Sequence, residues 1–143
     1  MINAKTAKVR VASKGLKPLQ EVRPKEDPDL WSCYYGPRSG IQQRLPTDEI
    51  AKALASGEGT LWVDVDTRKS DQVALLKDLF KFHPLAIEDT RNQHQRPKVE
   101  EYPNHLFLIL NPGALAEAEC AFRELDVFVA ENLVVTVDRK SVV

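Results

Sequence analysis

HPLAIEDTRNQHQRPKVEE, from His83 to Glu101, is the segment in which helix, turn and strand signals follow one another most closely. Pro84 suits the first turn of a helix, because the backbone N–H that proline lacks has no partner there. The polar residues after Arg91 interrupt regular structure, and Pro97 restricts the residue before it to an extended conformation. The segment therefore predicts a short helix, a polar turn and the start of a strand.

Strand and helix signals alternate on both sides of this segment. Thr47 and Ser70 are candidate N-caps of two further helices, with apolar residues at helical spacing after each. The TLWVDV strand alternates Leu61, Val63 and Val65 against Trp62, which we expect to pack under a helix. Strands interleaved with helices predict an α/β or α+β domain with a mixed β-sheet flanked by helices. The predicted strands are Lys8–Ala12, Leu30–Tyr35 with a hairpin partner in IQQRL, Thr60–Val65, His105–Leu110, Ala121–Val129 and Leu133–Val137.

Length and charge fit one globular domain. The chain has 143 residues, of which 43% are hydrophobic and 29% charged, and its formal net charge is -1. That balance argues against a general attraction to nucleic acid or anionic lipid. Residues 1–29 are rich in Lys, Arg and Pro, and we expect them to form a poorly organised segment before a domain at 30–143.

Several functional classes find no support in the sequence. The longest apolar run, Leu106–Leu110, is far shorter than the roughly 20 residues of a membrane-spanning helix. Nucleotide-binding glycine loops, the GxSxG nucleophile motif and the histidine spacings of zinc sites do not occur. We therefore predict no enzyme and no catalytic residues. Cys33 and Cys120 are predicted to be buried thiols, although one disulfide remains open.

The acidic pair Glu88-Asp89 provides the only candidate ligands for a metal ion. Consecutive helical residues point about 100° apart, so one carboxylate should face outward while the other caps or pairs with a base. Hard cations such as Mg²⁺ accept one or two protein carboxylates and keep several waters. Acid pairs on exposed helices are also common without any ligand. The role of Arg96 has two similar alternatives: the side chain either holds a carboxylate or lies in a solvated turn.

The order of these pieces resembles the cytoplasmic domain of CorA-type divalent-cation transporters, including the ZntB zinc branch. LWVDVD is similar to the strand that opens the family's recognisable region, and HPLAIEDTRNQHQRPKVEEY matches its H-P-L-x-x-E-D…Q-R-P-K-x-E-x-Y signature. FRELDVFVAENLVVTV is similar to its closing strands. The resemblance covers about Leu61 to Val137 and implies an α/β/α sandwich. Its motif residues here are His83, Pro84, Gln95, Arg96, Pro97 and Lys98.

The resemblance implies a regulatory, cation-sensing domain of a transporter for Mg²⁺ or Co²⁺, with Ni²⁺ and Zn²⁺ also compatible with oxygen ligands. Asp89, and less directly Glu88, stands at the position of a cation ligand between neighbouring subunits of a homopentamer. The family's stalk helix, membrane spans and Gly-Met-Asn pore loop have no counterpart before Val143. We therefore expect a soluble fragment from the cytoplasmic face of the inner membrane, with weak cation binding and no nucleic-acid partner. The alternative is a free-standing soluble binding or interaction module with this fold.

Overall fold

The computed structural model describes residues 29–92, 95–116, 119–122 and 124–138. The predicted strand at Lys8–Ala12, and all but the last residue of the predicted N-terminal segment, lie outside these ranges. The elements are β1 Trp31–Gly36, β2 Gly40–Gln43, α1 Thr47–Ser56, β3 Thr60–Asp66, α2 Ser70–Asp78, α3 Pro84–Arg91, β4 Lys98–Tyr102, β5 His105–Leu110, β6 Gly113–Ala116, β7 Glu119–Phe122, β8 Leu125–Ala130 and β9 Leu133–Asp138.

Seven of the strands form one mixed sheet, in the order β2-β1-β3-β9-β8-β5-β4. Strands β3 and β9 pair in parallel, whereas the other neighbours in this sheet pair antiparallel. The turn between β8 and β9 is tight, with Asn132 in the left-handed region at φ 62°. Strands β6 and β7 form a separate two-stranded sheet. The predicted fold class, a mixed sheet combined with helices, is confirmed.

The three helices contribute to one core on one face of the sheet. Ile50 of α1, Leu76 of α2 and Ile87 of α3 are buried in the same cluster as the inward residues of β3. In β3 the alternation is as predicted, because Leu61, Val63 and Val65 are all buried. The remaining buried apolar residues of the cluster are Leu30, Phe80, Phe82, Ala86, Phe107, Ile109, Phe128, Leu133, Val135 and Val137.

The opposite face of the sheet, which we call the open face, carries no helix from the described ranges, so the second helical layer of the predicted α/β/α sandwich does not lie among these residues. Strand pairing places Cys33 opposite Trp62, Trp62 beside Val134, and Leu106 opposite Val129, so these side chains share that face. Leu85 on α3 is the one exposed large apolar residue that lies elsewhere among the described residues. The exposed large apolar residues of the open face are Tyr35, Ile41, Trp62, Val99, Leu106 and Leu110.

Trp62 corrects one prediction. It is not packed under a helix but lies on the open face, with 46% of its surface exposed. Its ring meets the edge of Trp31 at a centroid distance of 4.7 Å, and its Nε1 donates to Thr136 Oγ1 at 3.1 Å. The reason is the strand alternation itself, because the neighbours of Trp62 in β3 point toward the helices. Cys33, on the same face, is only half-buried, whereas the side chain of Cys120 lies outside the described residues.

Two predicted helix caps are wrong by one residue. Thr47 and Ser70 are the first residues of α1 and α2, and the caps are Pro46 and Lys69, neither of which makes a side-chain capping bond. The Pro46 carbonyl accepts from the amides of residues 49 and 50, so α1 begins earlier than the Thr47 side chain suggests.

The predicted strand Ala121–Val129 is also wrong as a single element. It is divided between β7 and β8, because β7 turns back to pair with β6 rather than continuing into the main sheet. The β6–β7 hairpin was not predicted.

Candidate functional site

Helix α3 begins with a side-chain cap. His83 Nδ1 accepts a hydrogen bond from the backbone N–H of Leu85 at 3.1 Å, and Pro84 occupies the first helical turn as predicted. An imidazole that accepts at Nδ1 carries its proton on Nε2 when neutral. The cap fixes where the helix starts, and Asp89 therefore lies in its last turn.

Asp89 is held by a lysine from the neighbouring strand. Lys98 Nζ lies 2.7 Å from Asp89 Oδ2 and 3.2 Å from Glu100 Oε2, so one ammonium joins two carboxylates. The side chains remain partly accessible, with exposed fractions of 21% for Asp89, 32% for Lys98 and 38% for Glu100. The Asp89–Lys98 ion pair connects the end of α3 to the start of β4 and remains accessible to water.

The same strand also contacts the beginning of α3. Tyr102 donates its hydroxyl to Glu100 Oε1 at 2.9 Å. Its ring stacks on His83 at a centroid distance of 4.4 Å and on His105 at 5.0 Å. Strand β4 therefore holds both ends of a helix of eight residues. We call Asp89, Lys98, Glu100, Tyr102 and His83 the α3–β4 network.

Alternation along β4 explains how these residues meet. Lys98, Glu100 and Tyr102 are two residues apart and point to the same face of the sheet. Their partners on β5 are Ile109, Phe107 and His105, which are all buried on the helical side. These side chains are thus directed toward α3, although Tyr102 and His105 were not predicted as part of a site. The K-x-E-x-Y spacing was the signal that could have indicated Tyr102.

The network perturbs the acidity of its members. The hydrogen bond to Asp89 is the largest cause of a raised pKa for Lys98, which keeps this ammonium charged. The hydroxyl of Tyr102 lowers the pKa of Glu100, with a further contribution from Lys98. Burial, and then the carboxylate of Glu100, raise the pKa of Tyr102. The three groups are therefore held as carboxylate, ammonium and neutral phenol at neutral pH.

His105 lies beneath this network in a buried position. Burial lowers its pKa, and the nearby His83 lowers it further. Its Nδ1 is 2.6 Å from Asn104 Oδ1, and its Nε2 accepts from the backbone N–H of His83 at 3.5 Å. Those contacts suit a neutral ring with its proton on Nδ1. His105 therefore supports the start of α3 in its uncharged form.

The remaining predicted residues are dispersed. Glu88 is exposed and lines a groove of about 480 Å³ between α2 and α3, so Glu88 and Asp89 face different surroundings. The backbone N–H of Gln95 donates to Glu124 Oε1 at 3.3 Å. Arg96 and Pro97 are exposed, which fits the solvated-turn interpretation of that segment.

These residues supply at most part of a cation site. In the ranges that the structure describes, no group of three or more His, Cys, Asp or Glu side chains could together hold a metal ion. Asp89 is a partly accessible carboxylate, and Mg²⁺ can use a single protein carboxylate while keeping its waters. Asp89 therefore fits the role of one ligand, with Lys98 as its present partner.

Comparison with known proteins places this site within a transporter family. The family model described as CorA-like Mg²⁺ transporter protein matches residues 57–143, more than half of the chain. YfjQ of Bacillus subtilis, named as a metal ion transporter, is 41% identical over 75 residues, which is 52% of this chain and 23% of YfjQ. The cobalt/magnesium transport protein CorA of Thermotoga maritima is 40% identical over 50 residues, 34% of this chain and 14% of that protein.

The fold also has a counterpart among solved structures. The complete structure of the CorA magnesium transporter from Methanocaldococcus jannaschii matches with a TM-score of 0.55 and 14% identity, over 79% of this chain and 33% of that chain. This chain thus spans a third or less of the length of these relatives. None of the helices that the structure describes has the length and apolarity needed to cross a membrane.

Proposed function

The chain belongs to the CorA-like Mg²⁺ transporter family, and from this we propose that it is a cation-sensing regulatory domain of a divalent metal ion transporter. In this proposal the transported ion is Mg²⁺ or Co²⁺. The domain lies at the cytoplasmic face of the inner membrane in a homopentamer, and its membrane-spanning part belongs to the longer protein. Residues of the domain sense the ion rather than conduct it.

The observation that carries the proposal is the position of Asp89 within the segment that matches the family. Its carboxylate lies at the end of α3, where 21% of the side chain remains exposed and Lys98 is its ion-pair partner among the described residues. A carboxylate at such a boundary can contribute half of a shared site, and a neighbouring subunit would supply the rest. This also accounts for the lack of a complete ligand set in the described residues.

The regulatory logic follows from the charge of such a shared site. A cation held between two subunits screens their facing carboxylates and favours the arrangement in which the subunits stay together. Removing the cation restores the repulsion and favours separation, so the ion biases a two-state assembly through its differential affinity. One carboxylate alone competes poorly with water, and the single domain should bind Mg²⁺ weakly.

A free-standing binding module is the second candidate, and the open face is the observation that favours it. Six exposed large apolar side chains share that face. Exposed apolar side chains that concentrate on one face are typical of an interaction surface. The two candidates differ in whether Asp89 or the open face controls the protein's activity.

A chimeric transporter distinguishes these candidates. Residues 57–143 would replace the matching part of the Thermotoga maritima CorA protein, and Mg²⁺ uptake would be measured at increasing internal Mg²⁺. If the domain senses the cation through Asp89, Asp89→Asn raises the internal Mg²⁺ concentration that halves uptake. Asp71→Asn, at an exposed acid in the first turn of α2, is the matched control and should leave it unchanged. Equal behaviour of the two variants would contradict the proposal.

A further inference from the structure

We propose that Lys98 is a built-in competitor for the cation at Asp89, so that a divalent ion binds there only by displacing the lysine ammonium. This inference rests on the proposed function, because it concerns the same carboxylate. It adds a residue that sets the cation concentration to which the site responds. It also identifies the contact inside the domain, between Lys98 and Asp89, that is lost when the divalent ion binds.

The position of Lys98 leaves little room for its ammonium and a divalent ion at Asp89 at the same time. Lys98 Nζ is 2.7 Å from Asp89 Oδ2, a full hydrogen-bonding distance for a charge-assisted pair. Mg²⁺ would approach a carboxylate oxygen at about 2.1 Å with waters around it. An ammonium at its present position would then face a doubly charged ion at close range, and the repulsion favours one occupant.

Displacement is feasible because Lys98 has a second acceptor. Glu100 Oε2 is already 3.2 Å from Nζ, so the ammonium can leave Asp89 while keeping a charged partner. With 32% of its side chain exposed, Lys98 also reaches water. The exchange therefore leaves no buried charge without a partner, which would be the main barrier in a sealed site.

The exchange also alters how α3 is attached. Lys98 connects the end of α3 to β4, whereas Tyr102 of β4 stacks on the His83 cap at the other end. Binding of a cation to Asp89 removes the first of these contacts and leaves the second. Cation occupancy is thereby coupled to the fit of α3 against the sheet.

The experiment is an NMR titration of the 143-residue chain with MgCl₂, reading the Asp89 carboxylate carbon and the Lys98 Cε in one sample. We expect both signals to move with a common midpoint. Lys98→Met should tighten the apparent Kd at Asp89 by about two- to fivefold, the range expected for a partly exposed ion pair. Lys52→Met is the matched control, since Lys52 pairs with Glu49 at 3.4 Å on α1 and should not affect Asp89.

The outcomes of this titration, together with those of the chimeric transporter, separate failure of the proposed competition from failure of the proposed sensing role. If Mg²⁺ moves the Asp89 signal while Lys98 stays still, or if Lys98→Met leaves the Kd unchanged, the competition is wrong and the sensing role stands. If Mg²⁺ moves neither signal in the wild-type chain or in Lys98→Met, the competition is wrong, whereas the sensing role, which needs the neighbouring subunit, is decided by the chimeric transporter. The wild-type titration gives an answer even where Lys98→Met fails to fold. Binding that appears only in Lys98→Met, and disappears on adding Asp89→Asn, supports the competition.

Discussion

Replacing Asp89 by Asn and Lys98 by Met, singly and together, measures how strongly α3 is held to β4. The two charged atoms are 2.7 Å apart. Two unit charges at that separation attract by about 1.5 kcal/mol in bulk water and about 6 kcal/mol at an effective dielectric constant of 20. Because 21% of the Asp89 side chain and 32% of the Lys98 side chain are exposed, the attraction is nearer the bulk-water value. Desolvation of the two charges offsets part of it. We expect a coupling free energy of about 1 kcal/mol.

The two single variants should differ in stability. Asp89→Asn leaves Lys98 in contact with Glu100, whereas Lys98→Met leaves two carboxylates close together without their shared base. Lys98→Met should therefore lower the free energy of unfolding more than Asp89→Asn does. Urea denaturation of the four proteins measures both quantities. With a urea dependence of about 2 kcal/mol per molar, 1 kcal/mol moves the midpoint by about 0.5 M.

Salt provides a second test of the same reasoning. An ion pair that is partly open to solvent weakens as the screening length falls from about 10 Å at 0.1 M to about 3 Å at 1 M salt. The coupling free energy should therefore decrease between those conditions. A coupling free energy below about 0.3 kcal/mol, within the usual error of additivity, would falsify the assignment of Asp89 and Lys98 as an energetic pair. A coupling that salt does not change would contradict its electrostatic origin.

Two further predictions concern His105 and the open face. Burial sets the pKa of His105 below the unfolded value of 6.5, so its stabilisation is complete above that pH and declines as the pH falls toward the folded-state value. His105→Gln should flatten this dependence in urea denaturation at pH 7.5 and 5.5, and an unchanged slope would show that other groups cause it. Replacing Leu106 and Leu110, 39% and 41% exposed on the open face, by Lys should reduce the fluorescence of an apolar dye bound to the folded chain. Leu85→Lys, at a residue 58% exposed on α3, is the control, and an equal reduction there would contradict a contribution specific to that face.

Local sequence determined much of the secondary structure. The alternation of Leu61, Val63 and Val65 indicated which side of β3 is buried, and Pro84 indicated the start of α3. Both signals depend on residues a few positions apart, whose spacing alone fixes the face or the turn they occupy. The segment from His83 to Glu101 was correspondingly informative about the family and the fold class.

The pairing within the site could be predicted in part from such local signals. The sequence indicated that one of Glu88 and Asp89 would pair with a base while the other faced outward, and the structure shows Asp89 paired and Glu88 exposed. The base itself was not predicted, because Arg96 was the residue considered for holding a carboxylate, and Arg96 is exposed. Strand alternation on β4 decides which base pairs, since Lys98 points toward α3 and its neighbour Val99 points to the open face.

Tertiary structure alone decided the features that join distant parts of the chain. Trp62 and Val134 are far apart in sequence. They are neighbours only because β3 and β9 pair in parallel. Whether the second face of the sheet is covered depends on where all three helices pack, which no single helix or strand specifies. The sequence by itself therefore determined most of the elements, the family and the two candidate ligands. The lysine that holds Asp89, the stacked rings that hold the other end of α3 and the open face were decided by packing, because each depends on contacts between separate elements.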